Sequence, residues 1–139
     1  MTNALEEQGD LESKVNGVIR GELPLRELRE IGVEIDSQDG SLELNSGKLN
    51  VEVAPTVLDV ALGLLRYGSS ILDRDDLRKW SFFLLAESGV IDLGKVESDP
   101  DGAFILSALW DASFGEGVGS EAIETAEKII RNSRTVRGS

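Results

Sequence analysis

A run of carboxylates, ESDPDG, stands directly before an apolar segment and carries residue types that bind metal ions. Read from Glu97, it matches the first positions of a calcium-binding loop, because Asp99, Asp101 and a following glycine fall in register. The glutamate that closes such a loop is replaced by Ala108, and Pro100 interrupts the loop. Aspartates before a helix also accept hydrogen bonds from its first N–H groups. We therefore expect a helix cap here and no metal site.

Other catalytic constellations are restricted by composition. The chain has no cysteine and no histidine, which removes thiolate nucleophiles, disulfides, sulfur-ligated zinc and the usual proton-transfer side chain near neutral pH. The acidic run at residues 73–76 has no phosphate-binding glycine loop beside it. We expect no catalytic residue, no metal and no cofactor. A metal-dependent enzyme that works through carboxylates stays open as an alternative.

The charge balance indicates the kind of partner. The formal net charge is −12, from 26 acidic and 14 basic residues. A field of this sign repels nucleic acid phosphates and anionic lipids, and it accelerates the encounter with basic proteins. We expect a basic protein partner, with no binding to nucleic acid or membrane. The alternative is that the charge only keeps the chain soluble.

Length and hydropathy suggest one domain in the cytoplasm. A chain of 139 residues is the usual size of a single domain. We assign residues 1–132 to it and expect residues 133–139 to be a frayed tail. No apolar run approaches the ~20 residues of a membrane span, and the N-terminus lacks the features of a signal peptide. Both observations favour a cytoplasmic protein.

Apolar spacing and turn residues predict an α+β fold that is mainly helical. Residues 33–53 alternate between apolar and polar types, with two glycine turns at Asp39-Gly40 and Ser46-Gly47, which predicts a three-stranded antiparallel meander. Its inward positions would be Val33, Ile35, Leu42, Leu44, Leu49, Val51 and Val53. Elsewhere the spacing is helical. Helices are predicted at about residues 10–21, 24–32, 55–68, 73–89, 99–112 and 120–132.

Two surfaces are candidates for recognition. The period of two in the meander would place four carboxylates on its outer face, namely Glu34, Asp36, Glu43 and Glu52. The helical half offers Asp99, Asp111 and Glu116 as further candidates. Trp80 and Trp110 stand in apolar helical stretches, so we expect both to lie in the core.

The segment DDLRKWSFFLLAESGVIDL, followed by LSALWDASFGE, resembles small bacterial immunity-type proteins. In these proteins a helix that bears a tryptophan packs against a later ALWD helix. The resemblance covers roughly the C-terminal half of the chain and carries over no binding residue. It implies a cytoplasmic protein that is encoded beside a toxin, which it binds and blocks.

These observations together favour an acidic protein-binding module, an immunity-like inhibitor that occludes a basic bacterial toxin. One alternative is an acidic secretion chaperone, which would be a dimer that holds a segment of an effector. The other is the metal-dependent carboxylate enzyme. The oligomeric state does not follow from the sequence.

Overall fold

A computed structural model describes residues 4–38, 41–45, 52–68, 74–86 and 90–138. Within these ranges the protein forms seven helices and two short strands. In chain order they are α1 (Ala4–Ile19), α2 (Arg26–Glu30), β1 (Glu34–Gln38), β2 (Ser41–Asn45), α3 (Val57–Gly68), α4 (Arg74–Leu85), α5 (Gly94–Glu97), α6 (Pro100–Ala112) and α7 (Ser120–Gly138). None of the helices in this part of the chain is long and apolar enough to cross a bilayer.

The predicted α+β fold with a three-stranded meander over residues 33–53 is wrong. The described chain is mainly helical, and β1 and β2 pair only with each other, as one antiparallel hairpin. Val53, the expected end of the third strand, forms an isolated parallel bridge with Ile91. The N–H of Val53 donates to the carbonyl of Val90, and the N–H of Asp92 donates to the carbonyl of Val53, both at 2.8 Å. Neither group of Val53 is therefore available to pair with the hairpin.

The hairpin itself keeps the predicted alternation. Ile35 lies opposite Leu44 in the register. Both side chains are partly buried and pack against the core, and the preceding residue, Val33, is fully buried. Asp36 lies opposite Glu43, as the period of two requires. Of the other predicted inward positions, Leu49 and Val51 fall outside the described residues, as does the side chain of Leu42.

Helix ends depart from the sequence-based bounds where apolar spacing is weak. α1 begins at Ala4, ahead of the predicted start near residue 10, and Gly21 (φ 77°) follows its end. α7 continues to Gly138, through residues that were expected to fray. α5 was not predicted, because four residues are too few to show a helical period. The assignment of residues 1–132 to one domain stays a prediction.

The core forms around α3, which packs against α1, α4 and α7. Trp80 of α4 is fully buried, as predicted, and its ring lies 5.2 Å from that of Tyr67 between centroids. The indole passes directly over Gly63 of α3, where a Cβ atom would overlap the Trp80 ring and the carbonyl oxygen of Ile19. A glycine at this position therefore sets how closely α1, α3 and α4 approach one another.

Ser81 places a polar group without a hydrogen-bond partner in this core, as does the indole N–H of Trp80. The side chain of Ser81 is fully buried next to Trp80, and its hydroxyl has no hydrogen-bond partner. A buried hydroxyl without a partner costs about 1–3 kcal/mol of desolvation. We expect Ser81→Ala to raise the free energy of unfolding by about 1 kcal/mol, measured by urea denaturation.

Ser107→Ala is the matched control for this prediction, because Ser107 is an exposed serine within α6. It reports the gain in helix propensity alone, which is about 0.5 kcal/mol. A Ser81→Ala variant that is less stable than the wild type would contradict the prediction. It would mean that the hydroxyl makes a hydrogen bond in the folded protein.

Candidate protein-interaction surface

The helix α6 begins directly after Asp99, which is one of the two aspartates, with Asp101, that the sequence offered as its cap. The side chain of Asp99 accepts hydrogen bonds from the N–H groups of Asp101 (2.9 Å) and Gly102 (3.2 Å), and Pro100 occupies the first turn. The helix-cap interpretation of the acidic run is confirmed. Asp99 therefore holds the start of α6 through Oδ1, and its role in binding a partner stays a prediction.

This cap gives a prediction for stability. We expect Asp99→Ala to lower the free energy of unfolding by about 1 kcal/mol, because two N–H groups lose their acceptor. Asp99→Ser retains a capping oxygen and should recover most of the loss. Urea denaturation with and without millimolar calcium provides the measurement. A large calcium-dependent stabilisation of the wild type that is absent in Asp99→Ser would show a cation site instead.

Packing fixes the orientation of α6. The helix packs against α4, α5 and α7, and it buries Ile105, Leu106, Leu109 and Ala112 on one side. At its start, Gly102 lies so close to α5 that a Cβ atom would overlap the carbonyl oxygen of Val96. Because α6 contacts α5 closely and buries one side against its neighbours, its opposite side faces solvent.

The solvent side of α6 is aromatic. Phe104 is 43% exposed, Trp110 is 56% exposed and Phe114, in the turn after the helix, is 69% exposed. At 3.6 residues per turn, these residues and the exposed Ser107 and Asp111 share a sector of about 120°. We call this sector the aromatic face, defined as Phe104, Ser107, Trp110, Asp111 and Phe114.

The end of the aromatic face is held by a regular turn. The rings of Trp110 and Phe114 meet edge to face, with centroids 5.4 Å apart. The hydroxyl of Ser113 donates to the carbonyl of Trp110 (2.6 Å), and the N–H of Phe114 donates to that of Asp111 (3.1 Å). Gly115, at φ 98°, then turns the chain away. The two exposed rings are thus presented by an ordered backbone.

The expectation that Trp110 lies in the core is wrong. α6 is apolar around most of its circumference, so its sequence does not indicate which side is buried. Packing on α4, α5 and α7 selects the side of Ile105 and Leu109 and leaves Trp110 outside. Phe104 is exposed as well. Phe114 was not recognised as a candidate at all.

The aromatic face lies within the most acidic part of the described chain. Between Glu97 and Glu124 the sequence contains seven carboxylates and neither lysine nor arginine. The cations that flank this stretch in the sequence are Lys95 and Lys128. Lys128 lies 3.3 Å from Asp101 in an exposed ion pair, which neutralises little. The seven are Glu97, Asp99, Asp101, Asp111, Glu116, Glu121 and Glu124.

Two of the candidate carboxylates accompany the aromatic face. Asp111 belongs to it and is exposed beside Trp110, and Glu116 is exposed two residues after Phe114. The N–H of Glu116 donates to the carbonyl of Asp111 at 3.3 Å, which ties the turn back to the helix. These two carboxylates are therefore close in the chain to both exposed rings.

The carboxylates predicted for the meander face are arranged differently. Glu34 is half-exposed and lies 3.8 Å from Arg29, measured from carboxylate oxygen to guanidinium nitrogen. Glu52 is exposed but outside any strand. The register sets Asp36 opposite Glu43, while their side chains fall outside what the structure describes. With the meander gone, Glu52 does not share a sheet face with the other three.

The described residues show little that favours proton transfer or metal binding. Burial raises the pKa of the Tyr67 phenol above its ordinary value, and the charge of Asp76 acts in the same direction. The hydroxyl of Tyr67 donates to the carbonyl of Leu23 at 3.3 Å, which is a structural role. No group of three or more acidic side chains in the described part of the chain is arranged to hold a metal ion.

Comparisons with protein-family models, curated proteins and solved structures found no match. The assignment of a role to the aromatic face therefore rests on its exposure and charge. One sequence signal could have pointed to it, because residues 103–114 carry more large apolar side chains than one side of a helix can bury. Clustered exposed apolar side chains, unlike single ones, mark interaction sites.

Proposed function

We propose that this chain is an acidic protein-binding module that captures a basic protein through the aromatic face. The observation that carries the proposal is the exposure of Phe104, Trp110 and Phe114 within a stretch of seven carboxylates and no cation. Exposed aromatic rings are costly in water and are enriched at the centres of protein interfaces. Here they have no covering element among the described residues.

The two kinds of side chain have separate tasks in this proposal. The rings of Trp110 and Phe114 supply buried area once a partner covers them, and this area opposes dissociation. The surrounding carboxylates attract a basic surface over a distance of about 10 Å and speed its approach. Asp111 and Glu116 are positioned to pair with lysine or arginine at the edge of the contact. A cation of the partner can also stack on the face of Trp110.

The partner's activity is blocked by occlusion in this proposal. An acidic domain seated over the basic site of a toxin excludes the substrate of the toxin sterically and by charge. This is the immunity-like role that the resemblance implied, in a cytoplasmic protein without a catalytic step of its own. No observation in the described residues favours the chaperone or the enzyme over this role.

Capture and inhibition test the proposal together. Wild-type protein and a Trp110→Ser, Phe114→Ser double variant are immobilised and exposed to an extract of the native host. We expect a basic protein to be retained by the wild type and lost by the variant. The activity of that purified protein should then fall to near zero at one equivalent of wild type.

Two outcomes would contradict the proposal. Equal retention of the partner by both immobilised proteins would show that the aromatic face is not the contact. A captured protein whose activity is unaffected at saturation would remove the inhibitory role but leave the binding role intact. Asp92→Asn, an exposed change outside the aromatic face, is the control for the effect of immobilising an altered chain.

A further inference from the structure

Two adjoining clefts lie on a part of the protein that the proposed function does not use. One has a volume of about 330 Å³ and is bounded by α2, the start of β1 and α4. The other has a volume of about 380 Å³ and is bounded by the segment before α2, the end of α3 and α4. Leu25 and Asp76 line both clefts. We call the pair the arginine groove, for Arg26 in the first cleft and Arg66 in the second.

The groove combines apolar walls with several charges. The first cleft is lined by Leu25, Leu28, Val33 and Ile35, and the second by Leu23, Pro24 and Tyr67. Four cations and three carboxylates surround these apolar residues, although the whole chain has nearly two carboxylates for every cation. The cations are Arg26, Arg29, Arg66 and Lys79, and the carboxylates are Glu22, Glu34 and Asp76.

Most of these charges are already balanced within the protein. Arg29 lies 3.8 Å from Glu34, and Lys79 lies 3.0 Å from Asp75 outside the groove. Glu22 lies 3.8 Å from Arg20, also outside the groove. Asp76 is engaged in a contact of its own.

Arg26 and Arg66 are the exceptions. Neither arginine has a carboxylate within ion-pair distance in the described part of the chain. Both are exposed, and both line the groove. Two guanidinium groups that form no ion pair with a described carboxylate, beside clefts with apolar walls, are positioned to bind an added carboxylate.

We propose that the arginine groove binds a small amphipathic carboxylate. The apolar part of the ligand lies against Leu25 and the other apolar lining residues. The carboxylate of the ligand pairs with Arg26 or Arg66. The cleft volumes fall at the lower end of the ~300–1,000 Å³ range of small-molecule sites. A guanidinium fork matches a carboxylate in two parallel hydrogen bonds, which fixes the head of the ligand. The groove can therefore bind an anion, although the net charge of the chain is negative.

NMR titration of the full-length protein with octanoate tests this site, and octan-1-ol serves as an uncharged probe of the same chain length. We expect octanoate to cause saturable shifts of backbone amides in residues 21–35, 66–67 and 76–79. An Arg26→Gln, Arg66→Gln double variant should bind octanoate roughly ten-fold more weakly, because a charged hydrogen bond is lost. Octan-1-ol should bind the wild type more weakly by a similar factor.

A Lys95→Gln, Lys128→Gln double variant is the matched control, since it removes two cations that do not line the groove. We expect it to bind octanoate as the wild type does. The site is overturned if octanoate causes no saturable shifts, if octan-1-ol binds equally well, or if the arginine variant binds undiminished. It is also overturned if both double variants lose affinity equally, because net charge would then explain the effect. All of these outcomes are independent of the aromatic face on α6.

Discussion

Replacing Gly63 by alanine is expected to lower the free energy of unfolding by about 3 kcal/mol or more. The added Cβ atom would overlap the carbonyl oxygen of Ile19 and the ring of Trp80. A backbone carbonyl and a fully buried indole cannot move aside without disturbing the packing of α1, α3 and α4 around them. Helix propensity opposes the loss by only about 1 kcal/mol, since alanine is the better helix former.

Thermal and urea denaturation measure the effect of Gly63→Ala, which we expect to lower Tm by about 10 °C. Gly117→Ala is the matched control. Gly117 lies in the loop between α6 and α7, and a Cβ atom there would meet no atom within 4 Å. That variant should stay within about 0.5 kcal/mol of the wild type. If the two variants melted alike, the close contact at Gly63 would not exist in solution.

The sequence predicted the helices best where an apolar stripe and a stop residue coincide. α3 and α6 lie within the expected ranges, because Pro55 and Asp99 mark the start and the apolar residues that follow are dense. The ends of α1 and α7 were missed, since the extra turns carry mostly polar residues and show no apolar stripe in the sequence. Apolar spacing predicts the part of a helix that packs against the core better than it predicts polar turns at the helix ends.

The third strand was predicted wrongly because alternation does not specify a partner. The run that ends at Val53 has the correct period, but its last residue pairs with Ile91, which comes after two further helices in the chain. A contact over that separation depends on how α3 and α4 fold back, which the local pattern does not contain. The hairpin β1–β2 was predictable because its two strands are adjacent in sequence.

Only the charged residues of the candidate site were predicted from the sequence. Asp111 and Glu116 were named from the sequence, and the structure places them beside exposed rings. The rings themselves were missed, because a tryptophan in an apolar helix is more often buried, as Trp80 is. The choice between Trp80 inside and Trp110 outside is made by the neighbours of α4 and α6, which a single helix does not reveal.

Substituting both Trp110 and Phe114 by alanine should weaken binding to the basic partner by about 100-fold or more, which corresponds to about 3 kcal/mol. The loss should appear mainly as faster dissociation, because buried aromatic area holds a complex together once it has formed. The free energy of unfolding should change by less than about 1 kcal/mol, since both rings are more than half exposed. Trp80→Ala, by contrast, should cost about 3–5 kcal/mol of stability.

Charge variants then decide between the two acidic surfaces. Asp111→Asn with Glu116→Gln should slow association several-fold at low salt and flatten its salt dependence, with little change in dissociation. Glu34→Gln with Glu52→Gln removes the same charge from the region of the predicted meander and should leave the association rate nearly unchanged. The reverse result would move the interface to the hairpin region.

Sedimentation of the wild type from micromolar to millimolar concentration tests whether the aromatic face is covered by a second copy of the chain. A net charge of −12 on each copy opposes that pairing. A dimer that the alanine double variant abolishes would refute the assignment of this face to a basic partner.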